Sequence, residues 1–363
     1  MTFAIAAAGT GGHIYPGLAV AEQLVAAGVE KRHILFLGGD RMEADLIPRE
    51  GFPFVRLELQ GLVRSLSTRN LRLPGVVWKA ARRAGREMAA RGVASVLCTG
   101  GYVTVPVAAA ARRRGVPVYL HEQNYEAGLA NRLAGRWADR SFVSFPGTRG
   151  LKGTVVGYPL RSALADLDRA ASRPGALDRY GLDSAHPTLG VVGGSLGASA
   201  INQAVTGLAA SWDGGPLQVV HLAGASQAEQ VRVDADADAD AVTRVVVGYE
   251  NRMDLFYAAV DLLVGRAGGG LMEAAASGIP AILVPGAFGG RHQLGNAQAM
   301  AQAGGAVVLD EAGLDSLGEM VAGLLSDAAR RDRMSRAAVE VARPGAAAAI
   351  ADTMLESAHA IPR

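Results

Sequence analysis

The sequence predicts an α/β protein made of two doubly wound parallel-sheet domains, on three observations. Short apolar runs alternate with amphipathic stretches through most of the 363 residues, the pattern of a parallel sheet covered by helices on both faces. The alternation stops and restarts around residues 157–187, and at about 150 residues per domain the length suits two cores. Each half opens with the same figure, an apolar strand that runs into a glycine turn and then a helix.

In the first half, residues 2–8 are apolar and end in Gly9-Thr10-Gly11-Gly12-His13, after which Val20, Ala21, Leu24 and Val25 recur at helical spacing. Further strands are predicted at 33–37, 94–98, 116–121 and 141–144, with helices at 42–49 and 105–114. Residues 157–187, which include Pro159, Pro174 and Pro187, read as boundary and linker. The second half yields strands at 189–192, 218–222, 244–247, 261–264 and 281–284, a helix from Ala198 and another over 270–276.

Composition narrows the class. A chain that is 50% hydrophobic and 19% charged is not disordered. No apolar run approaches the roughly 18 residues that span a bilayer. The start lacks a basic segment and a small-residue cleavage site, so no secretory leader is expected and the expected location is the cytoplasm. The one cysteine, Cys98, forms neither an internal disulfide nor a thiolate zinc site and is expected to be a buried small hydrophobe. The net charge of +2 conceals an asymmetry: residues 59–120 carry eleven basic residues against the single acid Glu87. The alternating Asp and Ala of 234–240 imitate a calcium loop, but Ala239 and Val245 stand where the loop needs Gly and Glu, so a low-complexity surface loop is expected.

The chemistry is expected at glycine turns. Ligands of open α/β sheets lie outside the carboxyl ends of the strands, where residues 9–13 and Gly193-Gly194-Ser195-Leu196-Gly197-Ala198 fall. Glycine admits an anion close to the backbone, and helix N-terminal amides favour negative charge there. The bland alternative is that these glycines only make tight turns. Neither segment is a P-loop, and Ile14 occupies the third glycine position of a dinucleotide fingerprint, which disfavours a triphosphatase and a dehydrogenase. A third cluster, Arg266-Ala267-Gly268-Gly269-Gly270, precedes a helix expected to carry Glu273 in its first turn. That carboxylate either takes both hydroxyls of a ribose or complements its own helix dipole. His13 is either a general base or a helix cap.

Taken in order, residues 9–21, Thr99-Gly100-Gly101-Tyr102-Val103, His121-Glu122-Gln123-Asn124, Gly157-Tyr158-Pro159-Leu160-Arg161, residues 193–198 and residues 266–280 resemble the MurG family of glycosyltransferases over nearly the whole chain. The resemblance implies a GT-B fold, two Rossmann-like domains facing across a cleft. It implies an N-terminal acceptor and membrane-binding domain at 1–160, a UDP-GlcNAc-binding domain at 161–345, and a C-terminal helix of about 346–363 packed back on the first. The implied reaction is inverting transfer of GlcNAc from UDP-GlcNAc to the 4-hydroxyl of MurNAc in lipid I, which gives lipid II for peptidoglycan.

By the same resemblance the donor contacts are Thr10, Gly11, Gly12, Arg161, Ser195, Gly197, Glu273 and Gln293, and the acceptor contacts are His13, Tyr102 and Asn124. His13 is the expected general base, with Glu122 the second candidate; no metal and no tightly bound cofactor is expected. The basic stretch, through Arg72, Leu73, Val76, Val77, Trp78, Lys79, Arg82 and Arg83, is expected to dock peripherally on the anionic cytoplasmic face of the plasma membrane, the alternative being an ordinary solvated helix face. Nucleic acid is not an expected partner. Leu196, Glu250, His292, Leu294 and Gly295 depart from the family pattern and bear on donor-sugar preference. The alternatives are a related GT-B enzyme that glycosylates another acceptor, a UDP-GlcNAc epimerase of the same architecture, and a UDP-sugar-binding or membrane-recruiting module without catalysis.

Overall fold

The computed structural model describes residues 1–59, 73–193, 198–286 and 291–359. The chain divides into two compact units, one of Met1–Ser162 with Pro344–Arg363 and one of Ala163–Arg343.

The first unit runs β1 (Thr2–Ala6), α1 (Gly11–Ala26), β2 (Ile34–Gly38), α2 (Met42–Arg49), β3 (Phe54–Arg56), α3 (Leu73–Ala90), β4 (Val93–Cys98), α4 (Thr104–Arg113), β5 (Val118–Glu122), α5 (Leu129–Ala134), β6 (Arg140–Val143) and β7 (Thr154–Val155). All strand pairs are parallel, in the order β3-β2-β1-β4-β5-β6-β7. Every residue of β1, β2 and β5 is buried, as a sheet covered on both faces requires. One face packs Ala80, Ala81, Ala84 and Met88 of α3 with Val107 and Ala111 of α4. The other packs Leu18 and Ala21 of α1, and α1 comes close because Gly17 stands where a Cβ would lie 3.0 Å from Ile5 Cγ2.

The second unit begins with α6 (Ser162–Ala165) and continues α7 (Arg169–Tyr180), β8 (Thr188–Val192), α8 (Ser199–Ala210), β9 (Leu217–Leu222), α9 (Ala228–Asp234), β10 (Val242–Val247), α10 (Met253–Ala259), β11 (Leu262–Gly265), α11 (Gly269–Ala276), β12 (Ala281–Leu283), α12 (Arg291–Gln302), β13 (Ala306–Val308), α13 (Leu317–Ser326) and α14 (Ala328–Ala342). Its parallel sheet has the order β10-β9-β8-β11-β12-β13. The last helix, α15 (Ala346–His359), returns to the first unit, where Ile350, Ala351 and Met354 are buried in the same cluster as Leu18.

Three expectations need correction. Residues 157–187 are not a linker throughout, because α7 lies within them despite Pro174. Its Arg169 donates to the carbonyls of Tyr257 and Val260, and its Arg173 to those of Ala258 and Ala259, so two cations satisfy the C-terminal carbonyls of α10. The boundary falls after Ser162 rather than after 160, because Glu22 of α1 accepts from the Arg161 guanidinium at 2.8 Å and from the Ser162 N–H at 2.9 Å. The aspartate repeat is not wholly a surface loop, since Asp238 forms a bidentate pair with the fully buried Arg244 at 2.7 and 2.8 Å. Cys98 is buried and its thiol is pushed up to about 12 by desolvation.

Candidate active site

Strand order locates the site in each unit. In the first sheet the order reverses between the neighbours β1 and β4, and in the second between β8 and β11. A crevice at such a reversal is where an open α/β sheet takes its ligand. The turn at 9–12 and the loop at 99–102 leave the carboxyl ends of β1 and β4, while the chain leaves β8 at Gly193 and β11 at Arg266. Two of the three glycine clusters singled out in the sequence, those at 9–12 and 266–270, therefore stand at the two switch points.

At the first switch point α1 begins at Gly11, with Thr10 in extended conformation as the N-cap and no side-chain cap bond. Thr10, Gly11 and Gly12 thus present the start of the helix. His13 Nδ1 lies 3.2 Å from the Ala8 carbonyl and 3.4 Å from Thr10 Oγ1. A carbonyl only accepts, so Nδ1 carries the proton and the lone pair of the neutral ring is on Nε2. The Gly100-Gly101 pair fits beneath this arrangement with φ of 108° and 81°. A Cβ at Gly100 would lie 2.6 Å from His13 Cδ2, and one at Gly101 would lie 2.3 Å from the Ala8 oxygen. Thr99 Oγ1 donates to the His13 carbonyl at 2.7 Å, and Gln123 Nε2 donates to the Thr99 carbonyl at 2.5 Å, which ties the loops after β1, β4 and β5 together.

Glu122 is not placed as a base. It is 2% exposed, and its two oxygens accept from Asn124 N (3.0 Å), Asn124 Nδ2 (3.1 Å), Gly128 N (2.9 Å) and Asn131 Nδ2 (2.9 Å). Four donors fill a carboxylate's lone pairs, so Glu122 anchors the loop that carries Asn124. The neighbouring His121 is fully buried and donates from Nε2 to the Gly157 carbonyl at 3.0 Å; burial holds its pKa at about 4.

Arg161, expected on the nucleotide side, lies in the first unit and pairs with Glu22 at 2.8 Å and Glu50 at 3.5 Å. Its guanidinium is committed to α1 and to the end of α2.

At the second switch point Ser195 and Gly197, with Leu196, lie outside the described residues. Glu273 stands in the second turn of α11 rather than the first, because the helix already begins at Gly269, and no acid occupies its first turn. The dipole explanation for Glu273 therefore loses its geometry. The carboxylate is instead held by the buried Tyr257, whose hydroxyl lies 3.1 Å from Oε2, and it is only partly covered. Gln293, near the start of α12, accepts the Gly286 N–H at 2.8 Å. Asn296, one turn on, donates to the Ala267 carbonyl at 3.0 Å and so holds the third glycine cluster.

Glu250, one of the departures from the family pattern, is 7% exposed and accepts from Arg179 (2.9 Å), Tyr180 Oη (2.7 Å) and Arg252 N (2.8 Å). Burial alone would raise its pKa, but these donors hold it below the ordinary value. Glu250 thus joins α7 to the segment before α10. Leu294 is exposed, His292 half-buried and Gly295 buried.

The expected membrane face is also revised. Arg72 and the Leu73 side chain lie outside the described residues. Val76 and Val77 pack against the core and do not face outward, whereas Trp78 is 53% exposed beside Lys79, Arg82 and Arg83. Between α3 and α4 runs a groove of about 560 Å³ lined by Trp78, Arg82, Arg86, Arg113 and Arg114. Arg113 and Arg114 were not among the expected patch residues; they join it because α4 packs beside α3.

Sequence reasoning also missed Glu43, Asn131, Tyr257 and Asn296. Glu43 follows Gly38-Gly39 at the end of a strand, the same figure that marked the other turns, and this signal was available. The others are polar residues whose partners come from distant segments.

Two Rossmann-like units, each with a glycine turn and a half-buried or buried polar network at its switch point, define a GT-B protein of the nucleotide-sugar class. Residues 3–143 match the glycosyltransferase family 28 N-terminal domain and residues 188–352 its C-terminal domain. The chain is 38% identical to a UDP-N-acetylglucosamine--N-acetylmuramyl-(pentapeptide) pyrophosphoryl-undecaprenol N-acetylglucosamine transferase of Clavibacter michiganensis, over 99% of this chain and 97% of that one. It is 38% identical to the protein of the same name from Acidothermus cellulolyticus, over 99% of each. Among solved structures it is similar to Acinetobacter baumannii MurG, with a TM-score of 0.78 and 28% identity over 98% of this chain and 100% of that one. The chain belongs to this family of N-acetylglucosamine transferases. The Neisseria meningitidis UDP-GlcNAc 2-epimerase, with a TM-score of 0.71 at 13% identity over 98% of this chain and 100% of that one, shares the fold alone.

Proposed function

We propose that this chain transfers GlcNAc from UDP-GlcNAc to the 4-hydroxyl of MurNAc in undecaprenyl-pyrophosphoryl-MurNAc-pentapeptide, giving lipid II with inversion at C1. The observation that carries this reading is the near-full-length 38% identity to transferases of that name. The epimerase rival rests on fold likeness only.

In the proposed mechanism the acceptor O4 bonds to C1 of GlcNAc as the bond from C1 to the UDP oxygen breaks, and the O4 proton passes to His13 Nε2. The Ala8 carbonyl, by accepting a hydrogen bond from Nδ1–H, keeps the basic nitrogen at Nε2. Tyr102 and Asn124 act on the acceptor side with His13. On the donor side Glu273, oriented by Tyr257, accepts from the ribose hydroxyls, and Gln293 serves the sugar. The departing diphosphate is assigned to Ser195 and Gly197 and to the amides at the start of α8, without a bound metal. Among the described residues no cluster of His, Cys, Asp or Glu suits a metal ion. Thr10, Gly11 and Gly12 present further backbone donors at the start of α1. Arg161 and Glu122 are assigned no contact with substrate, since their partners lie within the first unit.

No helix among the described residues is long and apolar enough to cross a membrane. The arginine-lined groove with the exposed Trp78 supports peripheral docking of the first unit on an anionic lipid surface, where each Arg near the surface contributes about 1 kcal/mol.

The test is UDP release from purified protein with UDP-GlcNAc, with and without a short-chain lipid I analogue, in EDTA, with the lipid product weighed. Acceptor-dependent release with one added N-acetylhexosamine is the expected outcome. UDP-GlcNAc binding without transfer would reject this acceptor, and a requirement for added metal would reject the metal-free step. Sedimentation with phosphatidylglycerol vesicles should fall when Arg82, Arg86 and Arg113 are changed to Ser; unchanged sedimentation would reject the docking face.

A further inference from the structure

Glu43 has no part in the reaction as written above, yet it is a fully buried carboxylate at the start of α2, beneath the first switch point. Its Oε1 accepts the Gly39 N–H at 3.0 Å and the Tyr102 hydroxyl at 3.1 Å, and its Oε2 accepts the Gly9 N–H at 3.3 Å. These donors come from the loops after β1, β2 and β4. The sequence makes room for them: a Cβ at Gly39 would lie 1.8 Å from the Tyr102 hydroxyl, and one at Gly38 would lie 3.0 Å from Glu43 Cγ. The Arg41 guanidinium, 5.9 Å from the centroid of the Tyr102 ring, holds the same side chain from another direction.

The direction of the hydrogen bonds matters as much as their number. The Glu43 oxygens already accept the Gly39 and Gly9 N–H groups and accept from the phenol too, so the Tyr102 proton points at Glu43 and the phenol oxygen offers its lone pairs elsewhere. Burial, and then Glu43, push the Tyr102 hydroxyl up to about 12, so it stays protonated through the working range. A glutamine at 43 would keep the volume but could turn an amide N–H toward Tyr102. The phenol would then become the acceptor and its proton would turn outward.

We propose that Glu43 is a positioning residue of the transfer reaction, fixing the turn from Gly9 to His13 and orienting the Tyr102 hydroxyl as an acceptor for an O–H or N–H of the bound acceptor substrate. The inference rests on the reaction proposed above. Misplacing a reacting loop by about 1 Å costs on the order of a hundredfold in rate.

The experiment compares wild type, Glu43→Gln, Tyr102→Phe and the double variant in steady-state transfer to a lipid I analogue, with UDP binding measured by calorimetry and folding by thermal melting. Glu43→Gln is expected to lower kcat/KM for the acceptor roughly 10- to 100-fold, with UDP affinity and donor KM within about twofold of wild type. The double variant should lose less than the product of the two single losses, because both act through one hydroxyl. If Glu43→Gln fails to fold, Tyr102→Phe alone must still show the acceptor-specific loss. The proposal is overturned if acceptor kinetics are unchanged, if both substrates suffer equally in a folded variant, or if the two losses multiply. Transfer by the wild type with unaffected variants would sink this proposal alone, whereas no transfer by the wild type would sink the reaction and this proposal with it.

Discussion

At the switch point of the first unit the holding is done by buried carboxylates: Glu43 gathers donors from three loops, and Glu122 gathers four donors around Asn124 and Asn131. At that of the second unit amides and arginine do it, with Asn296 on the Ala267 carbonyl, Gln293 on the Gly286 N–H and Arg266 on the Val284 carbonyl at 2.9 Å. Of the carboxylates there, Glu311 pairs with Arg266, while Glu273 remains partly exposed with the Tyr257 hydroxyl 3.1 Å from its Oε2. The difference teaches how to read a glutamate beside a glycine turn. One whose oxygens are filled by donors from the surrounding loops holds the scaffold, whereas the partly exposed Glu273 is the one whose ligand role a variant can test.

The sharpest test of the first edge is His13→Ala, which should lower kcat about 10²- to 10⁴-fold with little change in UDP affinity. A loss below tenfold in single-turnover transfer would remove His13 as the base. Next in size is Glu122→Ala. It strands the Gly128 N–H and one of the two bonds of the Asn131 Nδ2, and should cost roughly 3 kcal/mol or more in urea unfolding of the first unit. A stable Glu122→Ala that has lost only catalysis would return Glu122 to the role of base and break the comparison.

For the second edge, Glu273→Gln should raise donor KM roughly 10- to 100-fold, the loss of a charge-assisted bond or two. Its melting temperature should stay near that of wild type. Destabilisation without a change in donor KM would make Glu273 a scaffold residue after all.

The most gradual effect is in pH dependence. His121 in the first unit is held at about 4, and His221 in the second at about 3, in both cases first by burial. The folded pKa values lie below the ordinary 6.5. The unfolded chain therefore takes up protons first as the pH falls, and stability is lost from about 6.5 downward. Each histidine should contribute a slope of about 1.4 kcal/mol per pH unit, down to about pH 4 for His121 and about pH 3 for His221. Urea titrations at stepped pH on His121→Gln and His221→Gln, read by hydrogen exchange in each unit, should flatten only the unit that carries the change. Equal slopes in both variants and wild type would show that neither histidine governs acid stability.

The class of fold was legible in the sequence, through apolar strands alternating with helices on either side of one interruption, and so were the glycine turns as the places for ligands. Those features are local: strand and helix periodicities, and the backbone freedom of glycine, are written in neighbouring residues. The burial of Cys98 was legible too. The roles of individual side chains were decided only by the tertiary structure. Strand order put the carboxyl end of β8 beside that of β11, a pairing that no local spacing encodes. Whether Glu122, Glu250 or Glu273 meets a ligand depends on which donors other segments bring to its oxygens. Val76 and Val77 turned inward while Trp78 stayed exposed because the core beneath α3 chose its face, and Arg161 was claimed by Glu22 more than a hundred residues earlier. A carboxylate's function follows from its hydrogen-bond occupancy, and that occupancy is fixed by contacts distant in the chain.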